Sequence, residues 1–164
     1  MNRRKRFLSM LLVLVTLISI MSVTASAANT ENKGFYDFSL FAYHRFLNPQ
    51  DKLDDSPCYV WIREALVNQP VYIRAYGFSI KDKNTTFKEN LTRDGDGNVA
   101  DHVIVQPFLH YRIRSMINEF GYPYASLAFY SPDNLAHVNG TNMGNEVSGY
   151  WSPDSAGSYQ FAYD

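Results

Sequence analysis

Apolar and polar residues alternate along much of the chain beyond residue 34. From Phe35 to Tyr43 an apolar side chain recurs at every second position, which is typical of a half-buried strand. Turn-forming residues separate it from later runs that are rich in β-branched and aromatic residues, as strands prefer. These runs lie at residues 59–64, 71–80, 102–106, 108–114, 124–130, 146–151 and 159–163. The pattern predicts an all-β fold: a single antiparallel β-sandwich, immunoglobulin-like or jelly-roll-like.

Two places interrupt this pattern. Pro107 separates two of the runs and predicts a sheet edge, a bulge or a strand break there. The segment from Ile113 to Phe120 has the one competing helical pattern and is compatible with a short helical turn. Neither changes the predicted fold class.

The front of the chain has the three parts of a secretory signal peptide. A basic segment at residues 3–6 precedes an apolar stretch at residues 7–23, and small residues at 25–27 supply an A-x-A cleavage site. We therefore predict cleavage between Ala27 and Ala28. The alternative is an uncleaved membrane anchor, for which the apolar run is slightly short.

The predicted organisation is a signal peptide at residues 1–27, a flexible polar segment at residues 28–34 and a β-sandwich domain at residues 35–164. We expect the protein outside the cell, without stable membrane insertion after cleavage. The chain stops at Asp164 without a hydrophobic tail or an LPxTG-like sorting motif, which favours free secretion.

The net charge narrows the possible classes of partner, and the cysteine content limits the possible disulfides. The chain has 15 basic and 16 acidic residues, and the predicted signal peptide contains four of the basic residues and no acidic one. The exported part therefore has 11 basic and 16 acidic residues, a net charge of −5. An acidic domain is a poor match for nucleic acid or an anionic membrane surface. A single cysteine, Cys58, excludes an internal disulfide framework.

One loop has the residue types of a calcium site. Asp94, Asp96, Asn98 and Asp101 place side-chain oxygens close together in sequence, and DxDxN opens an EF-hand-type loop. However, Val99 stands where that loop has glycine, and its bidentate glutamate is missing. A hairpin turn explains the same residues. We expect no cofactor, with calcium at this loop as the alternative.

Aromatic and arginine residues share one face of a predicted strand. Tyr72, Arg74 and Tyr76 lie at alternate positions, and Trp61 lies on the preceding predicted strand. If the two strands adjoin in one sheet, these side chains would form a surface suited to binding. The alternative is that one such face is core and that Arg74 extends along it to solvent.

The ending VSGYWSPDS, at residues 147–155, resembles that of small uncharacterised exported proteins of Gram-positive bacteria, mainly Firmicutes. The stretches SPCYV at residues 56–60 and DFSL at residues 37–40 resemble their middle and start. The extra length around residues 81–101 departs from them. That family has no established activity, and some of its members are encoded beside peptide-antibiotic export or immunity genes.

Trp151 within this ending has two interpretations. It is either a core residue that closes the sandwich or an exposed platform for a sugar or a partner.

These observations leave three hypotheses for the function. The first is a secreted, non-enzymatic binding module whose ligand is an unknown protein or a cell-envelope glycan, because the sequence contains no catalytic motif. The second is a secreted antimicrobial or bacteriocin-type protein, or an accessory to one, which the resemblance alone implies. The third is an extracellular hydrolase, which would need a converging His-carboxylate or Ser-His cluster.

Overall fold

The computed structural model describes residues 28–40, 45–65, 68–130 and 145–163, without the side chains of residues 36–40 and 145. The predicted signal peptide lies outside these ranges. Within them the chain forms strands and turns and no helix, which confirms the predicted all-β class. The strands are β1 (Lys33–Leu40), β2 (Arg45–Phe46), β3 (Gln50–Asp51), β4 (Cys58–Ala65), β5 (Val71–Phe78), β6 (Lys88–Asn90), β7 (Thr92–Arg93), β8 (Val103–Val105), β9 (His110–Ser115), β10 (Tyr124–Tyr130), β11 (Asn145–Ser152) and β12 (Gln160–Phe161).

The strands form two packed sheets, so the predicted sandwich is confirmed. Sheet I has the order β1-β11-β4-β9-β12, with β7 also pairing β9. Sheet II has the order β2-β10-β5-β6, with β3 pairing β10 and β8 pairing β5. Among the described strands, the pairing of β9 with β12 is parallel and the other pairings are antiparallel, so the arrangement departs from the purely antiparallel prediction at β12.

The core lies between the sheets because each long strand alternates buried and half-exposed side chains. On β5, Val71, Ile73 and Ala75 are fully buried, whereas the residues between them are only partly buried. Phe35 of sheet I contacts Phe129 of sheet II at 5.3 Å between ring centroids. Burial of these apolar side chains supplies the main stabilisation of a domain without disulfides.

Trp151 belongs to this core, which corrects its candidacy as a binding residue. Its side chain is 2% exposed because Val147 and Trp151 point inward from β11. A bulge between Ser148 and Gly149 adjusts the register against β4. A Cβ on Gly149 would lie 2.0 Å from the Trp61 carbonyl oxygen, so only glycine fits there.

The remainder of the SPDS ending forms a buried polar anchor. The Asp154 carboxylate pairs with the ammonium group of Lys52, and both side chains are at most 1% exposed. Its other oxygen accepts hydrogen bonds from the backbone N–H groups of Asn29, at 2.6 Å, and Leu53, at 3.1 Å. A buried ion pair is tolerated only when such additional bonds satisfy it. The anchor therefore joins three distant segments at one end of the sandwich.

Residues 28–34, which the sequence predicts as a flexible polar segment, contact the sandwich through Asn29 and through the start of β1. Strand β1 begins at Lys33, which pairs in register with Trp151. Asn29 is bonded to Asp154 through both its N–H and its carbonyl oxygen. The N-terminal boundary of the folded part therefore lies near residue 29 instead of residue 35.

Turns occupy the two places where the alternating pattern is interrupted, Pro107 and the end of the segment from Ile113 to Phe120. Pro107 lies in the turn that carries the chain from β8 in sheet II to β9 in sheet I, so it marks a strand break. After Ser115 the chain makes one turn, in which the N–H of Phe120 donates to the carbonyl of Met116 at 3.1 Å. No described residue belongs to a helix able to cross a membrane.

Candidate functional site

The predicted binding residues fall on opposite sides of the sandwich. Trp61 is on β4 of sheet I, whereas Tyr72, Arg74 and Tyr76 are on β5 of sheet II. The proposed single surface is therefore wrong, because these consecutive strands belong to different sheets. We call the outward sides of the two sheets face I and face II.

Face II contains the predicted Tyr72 and Arg74 in a closed network. Tyr72 stacks on His102 at 4.6 Å between ring centroids, and Tyr130 meets both rings edge-on. The Arg74 guanidinium lies 5.0 Å from the centre of the Tyr130 ring and pairs with the carboxylate of Asp101. Its Nε donates to the Asp101 carbonyl oxygen at 3.0 Å. Arg74 thus directs its polar atoms toward Asp101.

The same contacts shift the ionisation of two groups on face II. The hydrogen bond from Arg74 holds the pKa of the Asp101 carboxyl below its usual value. Burial raises the pKa of Tyr130 to about 12. Both shifts favour the forms that the network uses, the carboxylate and the neutral phenol.

Tyr76 lies at the other end of face II, where apolar contacts surround it. Its ring meets Phe46 edge-on at 5.0 Å, and Lys88 Nζ lies 4.4 Å from the centre of the Phe46 ring. Phe78, two residues further along β5, is fully buried. At this end of face II the aromatic rings therefore pack on one another, and little of their surface is exposed to solvent.

Face I presents a row of four stacked rings: Tyr150, Trp61, His110 and Tyr159. Trp61 is in register with Tyr150 of β11 on one side and with His110 of β9 on the other. Successive ring centroids are 5.9, 4.6 and 5.1 Å apart, with interplanar angles of 24°, 18° and 16°. Cross-strand neighbours bring the first three rings together, and the segment after the Asp154 anchor supplies Tyr159. We call this set the aromatic row.

Tyr59 lies two residues before Trp61 on β4, and its hydroxyl group bonds to His110 of the aromatic row. Its hydroxyl is 2.8 Å from Nδ1 of His110, and its ring contacts Tyr159 at 5.2 Å between centroids. Burial, and then the nearby Tyr159, raise the pKa of Tyr59 to about 12. The phenol therefore stays protonated, and its hydrogen bond with His110 fixes the orientation of the imidazole ring within the stack.

The aromatic row contains a hydrogen-bond donor that has no acceptor among the described residues. Among the described residues, the indole Nε1 of Trp61 is one of three buried polar side-chain atoms with no hydrogen-bond partner. Tyr159 is 40% exposed at one end of the row. A buried N–H without an acceptor costs free energy comparable to a lost hydrogen bond. Face I is therefore the better candidate for binding.

The predicted calcium ligands do not converge. The Asp94 carboxylate accepts hydrogen bonds from the backbone N–H of Asp96 at 2.9 Å and of Asn98 at 2.8 Å, and from the Asn98 side chain at 3.0 Å. The carboxylate of Asp101 faces Arg74 on face II. Within the described ranges there is no group of three or more His, Cys, Asp or Glu residues that could hold a metal. The hairpin-turn alternative therefore accounts for this loop.

The groups that a hydrolase would need are also apart in the described chain. Cys58 is fully buried, and burial raises the pKa of its thiol to about 11. His102 Nδ1 is 3.2 Å from the Asp101 carboxylate, but the two are neighbours on open face II and Arg74 also binds that carboxylate. His44 and His137 lie outside the described residues.

Comparison with protein families gives one match. The family model described as "Protein of unknown function (DUF2712)" matches residues 21–155. This chain belongs to the DUF2712 family. The DUF2712 match includes Trp61, His110, Tyr150 and the Asp154 anchor, whereas Tyr159 and β12 lie beyond it. Comparisons with curated proteins and with solved structures found no match.

Proposed function

We propose that this protein is a secreted, non-enzymatic binding module that attaches to a partner at the cell surface or in the medium through the aromatic row. The partner is a protein or a cell-envelope glycan. The observation that carries the proposal is the unpartnered indole N–H of Trp61 within a row of stacked rings on an outward face.

The chemistry of the aromatic row indicates how such a partner would bind. Neighbouring rings cover each other's faces, so the row presents ring edges, which carry partial positive charge and favour oxygen acceptors. Tyr159, which is 40% exposed at one end of the row, adds a phenol hydroxyl. Carbonyl and hydroxyl oxygens of a peptide or a sugar are suitable acceptors.

Export is supported by how the folded part begins. Cleavage after Ala27 would make Asn29 the second residue of the exported chain, and Asn29 is already bonded to Asp154. The polar anchor would therefore form directly behind the cleavage site. This arrangement suits a domain that folds after removal of the apolar segment.

The test is co-sedimentation of purified residues 28–164 with intact Gram-positive cells, with cell viability scored in the same tubes. Saturable binding that Trp61→Leu weakens, and that Tyr72→Leu on face II leaves unchanged, supports the proposal. Both substitutions remove one partly buried ring, so equal folding is checked by thermal unfolding. Absence of binding to any strain contradicts the cell-surface half of the proposal, and equal weakening by both variants contradicts the role of the aromatic row.

Two further readings of the same tubes separate the partner classes. Cells treated with protease before mixing lose binding if the partner is a protein and keep it if the partner is a glycan. Loss of viability beside binding would move the antimicrobial hypothesis to first place.

A further inference from the structure

Two arginines face each other on face I, where Arg114 lies four residues after His110 on β9. Arg93 of β7 and Arg114 of β9 are register partners in an antiparallel pairing, so their side chains leave the sheet on the same side. Like charges placed directly opposite each other on a sheet are destabilising. The opposed arginines of β7 and β9 therefore do not stabilise the fold.

Neither arginine is neutralised by the fold. Among the described residues, no carboxylate oxygen lies within 4.0 Å of a nitrogen of Arg93 or Arg114. The Nε of Arg114 is buried without a hydrogen-bond partner. Arg93 donates to the Thr92 carbonyl oxygen at 2.9 Å and contacts the sulfur of Met116 at 3.1 Å. Arg114, in contrast to Arg74 on face II, therefore has no carboxylate partner in the described part of the chain.

Both arginines line a pocket of about 330 Å³ with an aromatic wall. The guanidinium of Arg114 lies 4.1 Å from the centre of the Phe161 ring of β12, which fixes its plane. The turn at Gly97 lies opposite, and a Cβ there would be 3.4 Å from Nη1 of Arg114. The glycine-rich turn that resembles a calcium loop in sequence therefore packs beside Arg114, and its positive φ of 96° is what favours glycine at residue 97.

Two carboxylates, Asp55 and Glu119, line the same pocket. Asp55 accepts a hydrogen bond from the side-chain amide of Asn118. These acids disfavour a polyanion, but their oxygens can accept hydrogen bonds from hydroxyl groups. The combination suits a polar molecule with a single oxyanion group.

We propose that Arg93 and Arg114 form a binding site for one oxyanion group, a phosphate monoester or a carboxylate, carried by a hydroxyl-rich molecule such as a sugar. Guanidinium groups bind both oxyanions through paired N–H donors. The bound group would neutralise the opposed charges. This site goes beyond the aromatic row and does not depend on it.

The experiment is calorimetric titration of the exported chain, recovered from the medium of cells that express the full sequence. Glucose 6-phosphate, glucuronate and inorganic phosphate are titrated separately at constant ionic strength. We expect saturable binding of at least one probe, weakened about tenfold or more by Arg114→Gln, since one charge-assisted hydrogen bond is worth about a factor of ten. The first two probes distinguish a phosphate from a carboxylate, and inorganic phosphate tests whether the oxyanion alone suffices.

The matched control is Arg63→Gln, which removes an arginine of the same sheet that already pairs with Glu64 at 2.7 Å. It is expected to bind as the parent chain does. A second readout is the unfolding midpoint without ligand, which Arg114→Gln should leave unchanged or raise because it removes the opposed charge.

Three results would overturn the proposal. They are no saturable binding of any probe, equal loss in Arg63→Gln and Arg114→Gln, or binding by Arg114→Gln that is as tight as that of the parent chain. Weaker cell binding by Trp61→Leu with normal probe binding would separate the two sites, so either can fail without the other.

Discussion

Face I and face II each place a histidine in contact with aromatic rings and arginines near those rings. On face II, Arg74 is paired with Asp101, lies over Tyr130 and donates to a backbone carbonyl. On face I, Trp61 Nε1 and Arg114 Nε are buried with no acceptor among the described residues. The two faces are similar in composition and differ in how far their polar groups are satisfied.

This difference separates a stabilising surface from a binding surface. An arginine with a carboxylate partner has already exchanged water for a protein acceptor, and a ligand must compete with that acceptor. A donor that the fold leaves unpaired carries a cost that a ligand can remove. Aromatic content alone would have ranked the two faces as equal.

The largest expected effect comes from the anchor that orders the segment bearing Tyr159. Asp154→Asn removes the buried counter-ion of the Lys52 ammonium and leaves it only the more distant Asp54 carboxylate at 3.7 Å, so it should lower the free energy of unfolding by about 3–5 kcal/mol. Asp55→Asn, at a surface hydrogen bond, should change it by only about 0.5 kcal/mol. Urea denaturation of both variants measures the difference. Equal losses would mean that the anchor does not hold the end of face I.

The next effect comes from the bulge behind the aromatic row. In Gly149→Ala the new Cβ would overlap the Trp61 carbonyl oxygen and press on Phe35, at a cost of about 3 kcal/mol. Near-UV circular dichroism should change as β4 and β11 separate. Gly95→Ala is the control, because its Cβ would have only ordinary contacts, the nearest at 3.6 Å. A Gly149→Ala chain as stable as this control would contradict the packing described for face I.

Much of the fold could be predicted from the alternation of side chains, because burial on one side of a strand is a local pattern. Strand β10 coincides with the predicted run at residues 124–130. The partition of β4 and β5 between two sheets could not be predicted, since it depends on pairing with β11 and β10 far along the chain. The aromatic row was missed for the same reason. Trp61 was recognised, but its neighbours His110 and Tyr150 follow from register alone.

The arginine pair had still less signal in the sequence. Strand β7 has two residues and is followed directly by the polar DGDGN turn. The adjacent DGDGN loop carried a recognisable ion-site pattern, whereas its oxygens bond within the turn. A backbone turn and a calcium loop share aspartate and glycine because both need exposed oxygens and positive φ, as at Gly97.

A smaller effect tests face II. Arg74→Gln should cost at most about 1 kcal/mol, because Asp101 is largely exposed and the pair is screened by solvent. In the parent chain the pKa of Asp101 is lowered by folding, so its contribution is present above the ordinary carboxyl pKa and is lost as pH falls through the lowered value. Carboxyl NMR titration should show the Asp101 pKa rising toward normal in the variant. An unchanged pKa would mean that Arg74 is not its partner.

The smallest effect compares one phenol on each face. Tyr59 and Tyr130 should both titrate near pH 12, since burial raises both pKa values. A raised pKa favours the folded chain below the ordinary tyrosine pKa, and this contribution is lost as pH rises through about 12. Ultraviolet difference titration of Tyr59→Phe and Tyr130→Phe against the parent isolates each group. A tyrosine that ionises near its ordinary value would show that its ring is open to water.

We propose that face I binds the partner and face II does not. Oxidative footprinting of the chain bound to cells tests this difference. Mass spectrometry reports the oxidation of Trp61, Tyr150 and Tyr159 on face I and of Tyr72 and Tyr130 on face II in the same sample. We expect binding to lower the oxidation of the first three residues and to leave that of the last two unchanged. Protection of Tyr72 and Tyr130 with no change at Trp61 would contradict it.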